Sequence, residues 1–399
     1  MFYDFPIINH YNDVVSVIEN CPEFSIKYDE ENRIVLICYN VAFGDTFTPI
    51  NSVEDTIRRE CRGITFDMDT GRVISRKYHK FFNLNEREET QEHNVDVSTQ
   101  HLLMEKLDGS MVVPLFLKNG MVWHTKKGVS DVSKQVDVYT ANLENYKQFA
   151  KKMWDSDMTP IFEWCSRLNR VVIDHGEASL VLTAIRHNVS GMYVSYEDMK
   201  IYAGEFDIPV VKVWDTKNAL DPEVVNEIRN LVNDEGRVIR FDNGHMLKIK
   251  GEWYCRIHKS LDILRFEKDI VNLIVNEQID DVKPFMSEFL RNDIERFEKI
   301  VNNGIVNTAV SVYNDAKRIY ADYNGDRKRF AEHVDLNNPI SLMKNFYFKA
   351  INANSVDDMI EVVKKCVRNH VSSASRIDMV RFIWNNSSWY DVSNGYQGE

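Results

Sequence analysis

The stretch Lys106-Leu107-Asp108-Gly109-Ser110-Met111 decides how the first part of this chain folds. The apolar runs on either side, Leu102-Leu103-Met104 and Val112-Val113, are typical of two strands, and Asp108-Gly109 between them is a turn signal. A lysine at such a junction presents its amine at a fixed place, and backbone N–H groups beside it can bind phosphate oxygens. The motif is short enough to occur by chance, so its meaning depends on the rest of the chain.

Composition narrows the class of protein. The chain has 399 residues, of which 44% are hydrophobic and 28% charged, as in ordinary globular proteins. No apolar run reaches roughly eighteen residues, and the start, Met1–Pro6, lacks the features of a signal peptide, so neither a membrane span nor a secretory leader is expected. Six scattered cysteines without a Cys-x-x-Cys pair predict free thiols in a cytoplasmic protein and no zinc site. The net charge of −12 argues against nonspecific coating of nucleic acid but allows a local basic cleft.

Two parts of the sequence differ in pattern. From Asn32 to about Ile257, short runs of β-branched and aromatic residues alternate with turn signals, which is typical of antiparallel strands. One helical stretch, of about Asp131 to Trp154, interrupts them. After Lys259, apolar residues recur at three- and four-residue spacing, which predicts helices. The sequence therefore predicts an α+β domain over residues 1–258 followed by an all-α domain over 259–399.

Two lysines further along suggest chemistry for Lys106. An amine attacks phosphorus only in its neutral form, and neighbouring positive charges favour that form. Lys248 and Lys250 are two apart on a predicted strand and should project to the same face, where they could also hold a phosphate. Alternating lysines on a strand are by themselves more often a solvated surface. Beside Lys106 they indicate covalent catalysis.

Six segments, in order, give the chain its resemblance to a known family. They are Tyr39-Asn40, Cys61-Arg62-Gly63-Ile64, Lys80-Phe81-Phe82-Asn83-Leu84-Asn85-Glu86, Lys106-x-Asp108-Gly109-Ser110 with Lys127-Gly128, Phe162-Glu163 with Asn169-Arg170-Val171-Val172, and Glu235-Gly236 with Lys248-Ile249-Lys250. On these segments the chain resembles the covalent nucleotidyltransferases and, within them, the bacteriophage RNA ligases of the RNA ligase 1 type, which reseal broken tRNA. The resemblance extends over about residues 39–258.

The resemblance implies a fold and a reaction. The fold would be a nucleotidyltransferase domain of ATP-grasp-like antiparallel sheets with helices, and the helical domain would select RNA, tRNA in particular. Lys106 would attack the α-phosphorus of ATP and form a lysine–AMP intermediate. The adenylate would pass to an RNA 5′-phosphate, and an RNA 3′-hydroxyl would then displace AMP. The implied divalent cation is Mg²⁺, with Mn²⁺ as the alternative.

The resemblance also implies site residues. Lys106 is the nucleophile. The implied nucleotide-binding residues are Tyr39, Arg62, Lys80, Phe82, Gly109, Lys127, Glu163, Gly236, Lys248 and Lys250, and the implied metal-binding residues are Glu163, Glu235 and Asp280. Arg62, Lys80 and Lys127 would orient the leaving pyrophosphate. Lys126 could replace Lys127, although the following Gly128 favours Lys127. Gly109 and Gly236 would let backbone approach the nucleotide closely.

Partners follow from the same resemblance. The substrate would be RNA, in particular tRNA broken in its anticodon loop, and a polynucleotide kinase/phosphatase could prepare its ends. The chain would act as a monomer, in the host cytoplasm if a phage encodes it. The clusters Lys317-Arg318 and Arg327-Lys328-Arg329 could contact RNA, although a single cluster of this kind is more often a solvated helix end.

Two alternatives stay open. The first is a DNA ligase or an mRNA capping-type nucleotidyltransferase. Met111 stands where those enzymes place an arginine, and the tail is helical rather than a β-rich barrel, so both features favour RNA ligase. The second is a non-enzymatic RNA adaptor with the same fold, which an inert Lys106 would indicate.

Overall fold

A computed structural model describes residues 5–40, 42, 46–214, 216, 218–264, 266–286, 288–371 and 373–393. It divides into two compact units, Met1–Arg256 and Ile257–Glu399. The roles assigned to the two predicted domains stay predictions.

The first unit carries the strands of the described chain. In chain order they are β1 (Phe24–Asp29), β2 (Ile34–Tyr39), β3 (Arg62–Asp67), β4 (Val73–Ser75), β5 (Phe82–Asn83), β6 (His101–Glu105), β7 (Ser110–Leu117), β8 (Gly120–His124), β9 (Met158–Cys165), β10 (Ser179–His187), β11 (Val213–Trp214), β12 (Gly236–Phe241) and β13 (Met246–Lys250). The helices are α1 (Tyr11–Ile18), α2 (Val53–Glu60), α3 (Asp131–Thr140), α4 (Glu144–Asp155), α5 (Tyr196–Gly204), α6 (Pro222–Arg229), α7 (Glu252–Ile263), α8 (Glu267–Val275), α9 (Glu288–Asp322), α10 (Arg327–Asn337), α11 (Ser341–Ala350), α12 (Val356–His370), α13 (Ala374–Ile377) and α14 (Trp389–Val392). Short 3-10 helices cover Glu88–Thr90, Glu92–Asn94, Ile279–Asp281, Lys283–Phe285 and Arg381–Trp384.

Three sheets form the frame of the first unit. The N-terminal sheet has the order β1-β2-β3-β4, the central sheet β10-β9-β7-β8, and the third sheet β11-β6-β12-β13-β5. Neighbouring strands pair antiparallel, except that β5 pairs parallel with β13. The predicted α+β class with antiparallel sheets is confirmed.

The lysine motif bridges two of these sheets. β6 ends at Glu105 in the third sheet, and β7 begins at Ser110 in the central sheet. The four residues between them are therefore held at both ends by hydrogen-bonded strands. The predicted strand–turn–strand arrangement around Lys106 is confirmed, with the two strands lying in different sheets.

Helices α3 and α4 cover the central sheet and replace the single predicted helical stretch. Both belong to one core with the strands, in which Trp123, Phe149 and Phe162 are fully buried. The indole N–H of Trp123 donates to the Thr140 hydroxyl at the end of α3 (3.0 Å), where the chain turns before α4. This core holds β7 and β9, which carry residues of the candidate site.

A buried charge network joins α2 to the strands. Glu60 contacts Arg76 at 3.1 Å and Arg186 at 2.7 Å, and all three side chains have no solvent exposure. Burial alone would raise the pKa of Glu60, but the two guanidinium groups outweigh it and lower that pKa to about 2. This network stabilises the segment that leads from β4 to Lys80.

The second unit is helical, as predicted. The 35-residue helix α9 runs through its core, where Ile294, Phe297 and Val301 pack with Trp384. Within the described residues, no helix has both the length and the apolar run that crossing a bilayer requires.

Candidate active site

The Lys106 loop is fixed at both ends. The N–H of Lys106 donates to the Gly236 carbonyl of β12 at 3.1 Å. Asp108 is only 2% exposed, and its Oδ2 accepts hydrogen bonds of 2.8 and 2.6 Å from the N–H groups of Val172–Ile173. Its Oδ1 accepts one of 2.7 Å from the Tyr254 hydroxyl. Asp108 is therefore an anchor for the loop rather than a group that faces a ligand.

Glu235 is the carboxylate nearest to the candidate nucleophile. Its Oε1 lies 2.5 Å from Nζ of Lys106 and 3.1 Å from Nζ of Lys250. Burial would raise the pKa of Glu235, but the two lysines outweigh burial and lower it. Because a nucleophilic amine must be unprotonated, this ion pair would have to open for Lys106 to act as a nucleophile.

Lys248 lies on β13, two residues before Lys250, and is largely buried. Burial, together with the positive charges of Lys106, Lys80 and other cations, lowers the pKa of Lys248 to about 7. Its Nζ lies 5.4 Å from the centre of the Phe81 ring. A phosphate placed beside Lys248 would favour the charged form of this amine.

Glu163 lies on β9, opposite Met111 of β7 in the strand register. Burial, which outweighs the opposing charge of Lys106 and is reinforced by Glu235, raises the pKa of Glu163 to about 8. Within the described chain, no side chain forms a direct hydrogen bond or ion pair with the Glu163 carboxylate. A buried carboxyl group without a hydrogen-bonding or ionic partner among the described residues is suited to bind a cation or a ribose hydroxyl.

Three cations converge on Tyr39. The Arg62 guanidinium lies beside the Tyr39 hydroxyl, while Nζ of Lys80 and Nζ of Lys126 lie 5.5 and 5.7 Å from its ring centre. Burial would raise the pKa of Tyr39, but these three cations lower it. Arg62 also contacts the sulfur of Met111 at 3.6 Å. The arrangement is a concentration of positive charge suited to a polyphosphate.

The structure distinguishes the two adjacent lysines that the sequence left in competition. Lys126 is partly buried against Tyr39, whereas the Lys127 side chain is exposed. The cluster around Tyr39 thus contains the lysine that the sequence analysis ranked second.

Phe82 was expected in the nucleotide pocket, and the structure places it in the core of the N-terminal sheet. Its ring is 2% exposed, and Lys80, Arg59 and Arg87 lie within about 5 Å of its centre. The Phe82 ring therefore packs against Lys80 and has no exposed face on which a nucleotide base could stack. The neighbouring Phe81 is partly exposed and lies beside Lys248.

Both candidate glycines are required by contacts within the protein. A Cβ on Gly109 would overlap the Trp164 carbonyl, and one on Gly236 would overlap the Ile249 carbonyl. Gly236 also has a φ of +132°, which other residues rarely adopt. The close packing of strands therefore accounts for both glycines, whatever role they have toward a nucleotide.

The predicted metal ligands belong to different units of the chain. Glu163 and Glu235 lie in one electrostatic cluster, whereas Asp280 belongs to the second unit and pairs with Lys283 at 2.7 Å. Among the described residues, no group of three or more His, Cys, Asp or Glu side chains converges. Two carboxylates still fit Mg²⁺ or Mn²⁺, because such ions are commonly held by one or two carboxylates, waters and substrate phosphates.

Sequence reasoning missed the contributions of two aromatic residues. Tyr254 was given no role from the sequence, although it is buried and holds Asp108 in place. Burial, Glu235 and Asp108 all raise the pKa of Tyr254. Phe81 was overlooked because the sequence does not show which of the two consecutive aromatic residues, Phe81 or Phe82, is buried.

Comparisons with known proteins show that the sequence is similar to RNA ligases. The model of a family described as RNA ligase matches residues 60–254. A protein of Thermovibrio ammonificans, named by inference as an RNA ligase, is 31% identical over 266 residues, which are 64% of this chain and 67% of that protein. A bifunctional polynucleotide kinase/RNA ligase of Autographa californica nuclear polyhedrosis virus, also named by inference, is 26% identical over 321 residues, or 73% of this chain and 44% of that protein.

Structural likeness is more distant. An archaeal ATP-dependent RNA ligase matches with a TM-score of 0.45 and 16% identity, covering 66% of this chain and 64% of that chain. The chain thus spans about two thirds of the length of two of these proteins and less than half of the viral one. The assignment therefore rests on the sequence matches, which confirm the predicted resemblance: the chain belongs to the RNA ligase family.

Proposed function

We propose that this chain is an ATP-dependent RNA ligase that works through a covalent adenylate on Lys106. The observation that carries the proposal is the contact of Lys106 with Glu235, which Lys250 shares, in a chain of the RNA ligase family. A fixed loop, a charged partner and a second lysine are what a nucleophilic lysine needs to be held in place.

In the first step the neutral amine of Lys106 attacks the α-phosphorus of ATP. The N–P bond forms, pyrophosphate leaves with the electron pair of the broken P–O bond, and the proton lost by nitrogen passes to water. Lys248 and Lys250 hold the α-phosphate, while Arg62, Lys80 and Lys126 hold the phosphates that leave. In the later steps an RNA 5′-phosphate takes the adenylate from Lys106, and an RNA 3′-hydroxyl displaces AMP.

A divalent cation, Mg²⁺ or Mn²⁺, would be held by Glu163 and Glu235 through bound waters. When bound, it neutralises charge on the phosphates. Glu163 must give up its proton to serve as a ligand, so its raised pKa makes metal binding favourable at higher pH. The alternative role for Glu163 is a hydrogen bond to the ribose.

We further propose that the substrate is RNA, specifically tRNA broken in its anticodon loop. The chain would act as a monomer, and its partner would be a polynucleotide kinase/phosphatase that prepares the RNA ends. The viral relative is named as a kinase joined to an RNA ligase, which supports the pairing of the two activities. The second unit would select the RNA, and the Arg327-Lys328-Arg329 cluster at the start of α10 would contact phosphate.

The role of the second unit can be tested with a charge variant. Arg327→Ala/Lys328→Ala should leave lysine adenylylation unchanged and weaken the preference for broken tRNA over generic RNA. The matched control is Lys299→Ala/Lys365→Ala, which removes the same charge from exposed positions of the same unit. Equal preference in both variants would contradict this role.

The catalytic proposal is tested by incubation with labelled nucleotides and a divalent cation. ATP should label the chain, GTP should not, and Lys106→Ala should abolish the label. Labelling by GTP alone would instead support a capping-type nucleotidyltransferase, and sealing of nicked DNA without sealing of RNA would support a DNA ligase.

A further inference from the structure

Lys77 is a buried lysine outside the site described above. It is 2% exposed, and its Nζ donates to the Gly63 carbonyl at 2.5 Å and to the Thr65 hydroxyl at 3.3 Å. No carboxylate of the described chain forms an ion pair with it. The adjacent Arg76, by contrast, is neutralised by Glu60. Lys77 therefore serves neutral acceptors only.

Burying an amine of this kind is costly, because no opposite charge replaces the water removed from it. Burial lowers the pKa of Lys77 to about 7, and the other titratable groups that face it, Cys38 and His124, are themselves buried. The buried amine donates hydrogen bonds to one backbone carbonyl and one hydroxyl. Because the backbone carbonyl is that of Gly63, we expect any effect of Lys77 on the site to act through Gly63.

Gly63 connects two of the cations that surround Tyr39. It directly follows Arg62 in β3. A Cβ on Gly63 would lie 2.5 Å from the Lys126 carbonyl, and its φ is +85°, so its backbone lies directly against that of Lys126. Fixing the Gly63 carbonyl thus fixes the backbone beside both Arg62 and Lys126.

We propose that Lys77 is a positioning residue that holds Arg62 and Lys126 at the pyrophosphate end of bound ATP, acting through the Gly63 carbonyl. This inference rests on the proposed ligase function, since it assumes that these two cations bind the leaving phosphates. Lys77 itself contacts no substrate. Its main chain is held in turn by Arg186, which donates to the Lys77 carbonyl at 2.6 Å.

The test is Lys77→Met, which keeps a long apolar side chain and removes the donor. In the full chain, the ATP concentration that half-saturates Lys106 adenylylation should rise by about tenfold, the effect expected when a hydrogen bond to a positioning group is lost. Sealing of RNA that already carries the 5′-adenylate should stay at the wild-type rate, because that substrate has no β- and γ-phosphates.

The matched control is Tyr146→Phe, which removes another buried donor to a backbone carbonyl, that of Leu180 at 2.9 Å. It should not change the ATP requirement. If Lys77→Met slows sealing and adenylylation equally with an unchanged ATP requirement, or behaves like wild type, the positioning role is wrong. If the wild-type chain forms no adduct, the proposed function itself fails.

Discussion

Lys106 and Glu235 form an ion pair with an Nζ–Oε1 distance of 2.5 Å, and the Glu235 side chain is almost completely buried. Lys250 shares the same oxygen at 3.1 Å. We expect Glu235→Gln to slow adenylylation of Lys106 by about 10- to 100-fold, because Glu235 is one of the two carboxylates proposed to hold the divalent cation, and losing a group that supports a metal ion typically costs that much activity. Rates of label incorporation check this, with the exposed Glu252→Gln as control. An unchanged rate would show that Glu235 has no part in adenylylation.

The adjacent residues Lys126 and Lys127 allow a test of which lysine contributes to ATP binding. Lys126→Ala should raise the ATP concentration needed for half-maximal adenylylation by about tenfold, since it removes a cation from the cluster around Tyr39. Lys127→Ala should change it by less than about twofold, because the Lys127 side chain is exposed and outside that cluster. The reverse order of effects would restore the preference for Lys127 that Gly128 suggested.

The raised pKa of Glu163 predicts that the stability of the folded chain depends on pH. Its pKa is about 8 in the folded chain and near the ordinary 4.5 when unfolded, so between these values the folded chain holds one more proton. Stability of the ligand-free chain therefore falls as pH rises from about 4.5 to 8, and Glu163→Gln removes this loss. We expect the melting temperature of Glu163→Gln, relative to wild type, to increase over that range. A difference that stays constant with pH would contradict the raised pKa.

Several parts of the fold were readable from sequence because they depend on local patterns. The strands around Lys106 and the helical second unit follow from apolar spacing and turn residues, and the structure confirms both. The pair Lys248 and Lys250 was placed on one strand for the same reason. The assembly of three sheets was not readable, since strand pairing between distant segments leaves no local signal.

The burial of charged residues could not be read from the sequence. No place was assigned from the sequence to the segment Arg76-Lys77-Tyr78-His79, in which the Arg76, Lys77 and His79 side chains are almost fully buried. Their partners, such as Glu60 and Gly63, are brought close only by the tertiary fold. The same limit explains why Phe82 was expected to face a nucleotide, while the core of the N-terminal sheet covers it.

The network around Glu60 should be important for stability. Glu60→Gln leaves Arg76 and Arg186 buried without a counterion, and we expect it to lower the free energy of unfolding by about 3–5 kcal/mol. Because the pKa of Glu60 is lowered to about 2, its stabilising effect is present above about pH 4.5 and is lost as pH falls toward 2. Urea unfolding at pH 7 measures the loss, with the exposed Glu54→Gln as control. Equal stability of the two variants would contradict this role.

The proposed mechanism requires a covalent adenylate on Lys106, which peptide mass spectrometry detects. The chain is incubated with ATP and magnesium, digested, and searched for AMP on each lysine. We predict one AMP on the peptide that contains Lys106 and none in Lys106→Ala. An unmodified chain, or AMP on a different lysine, would contradict the account.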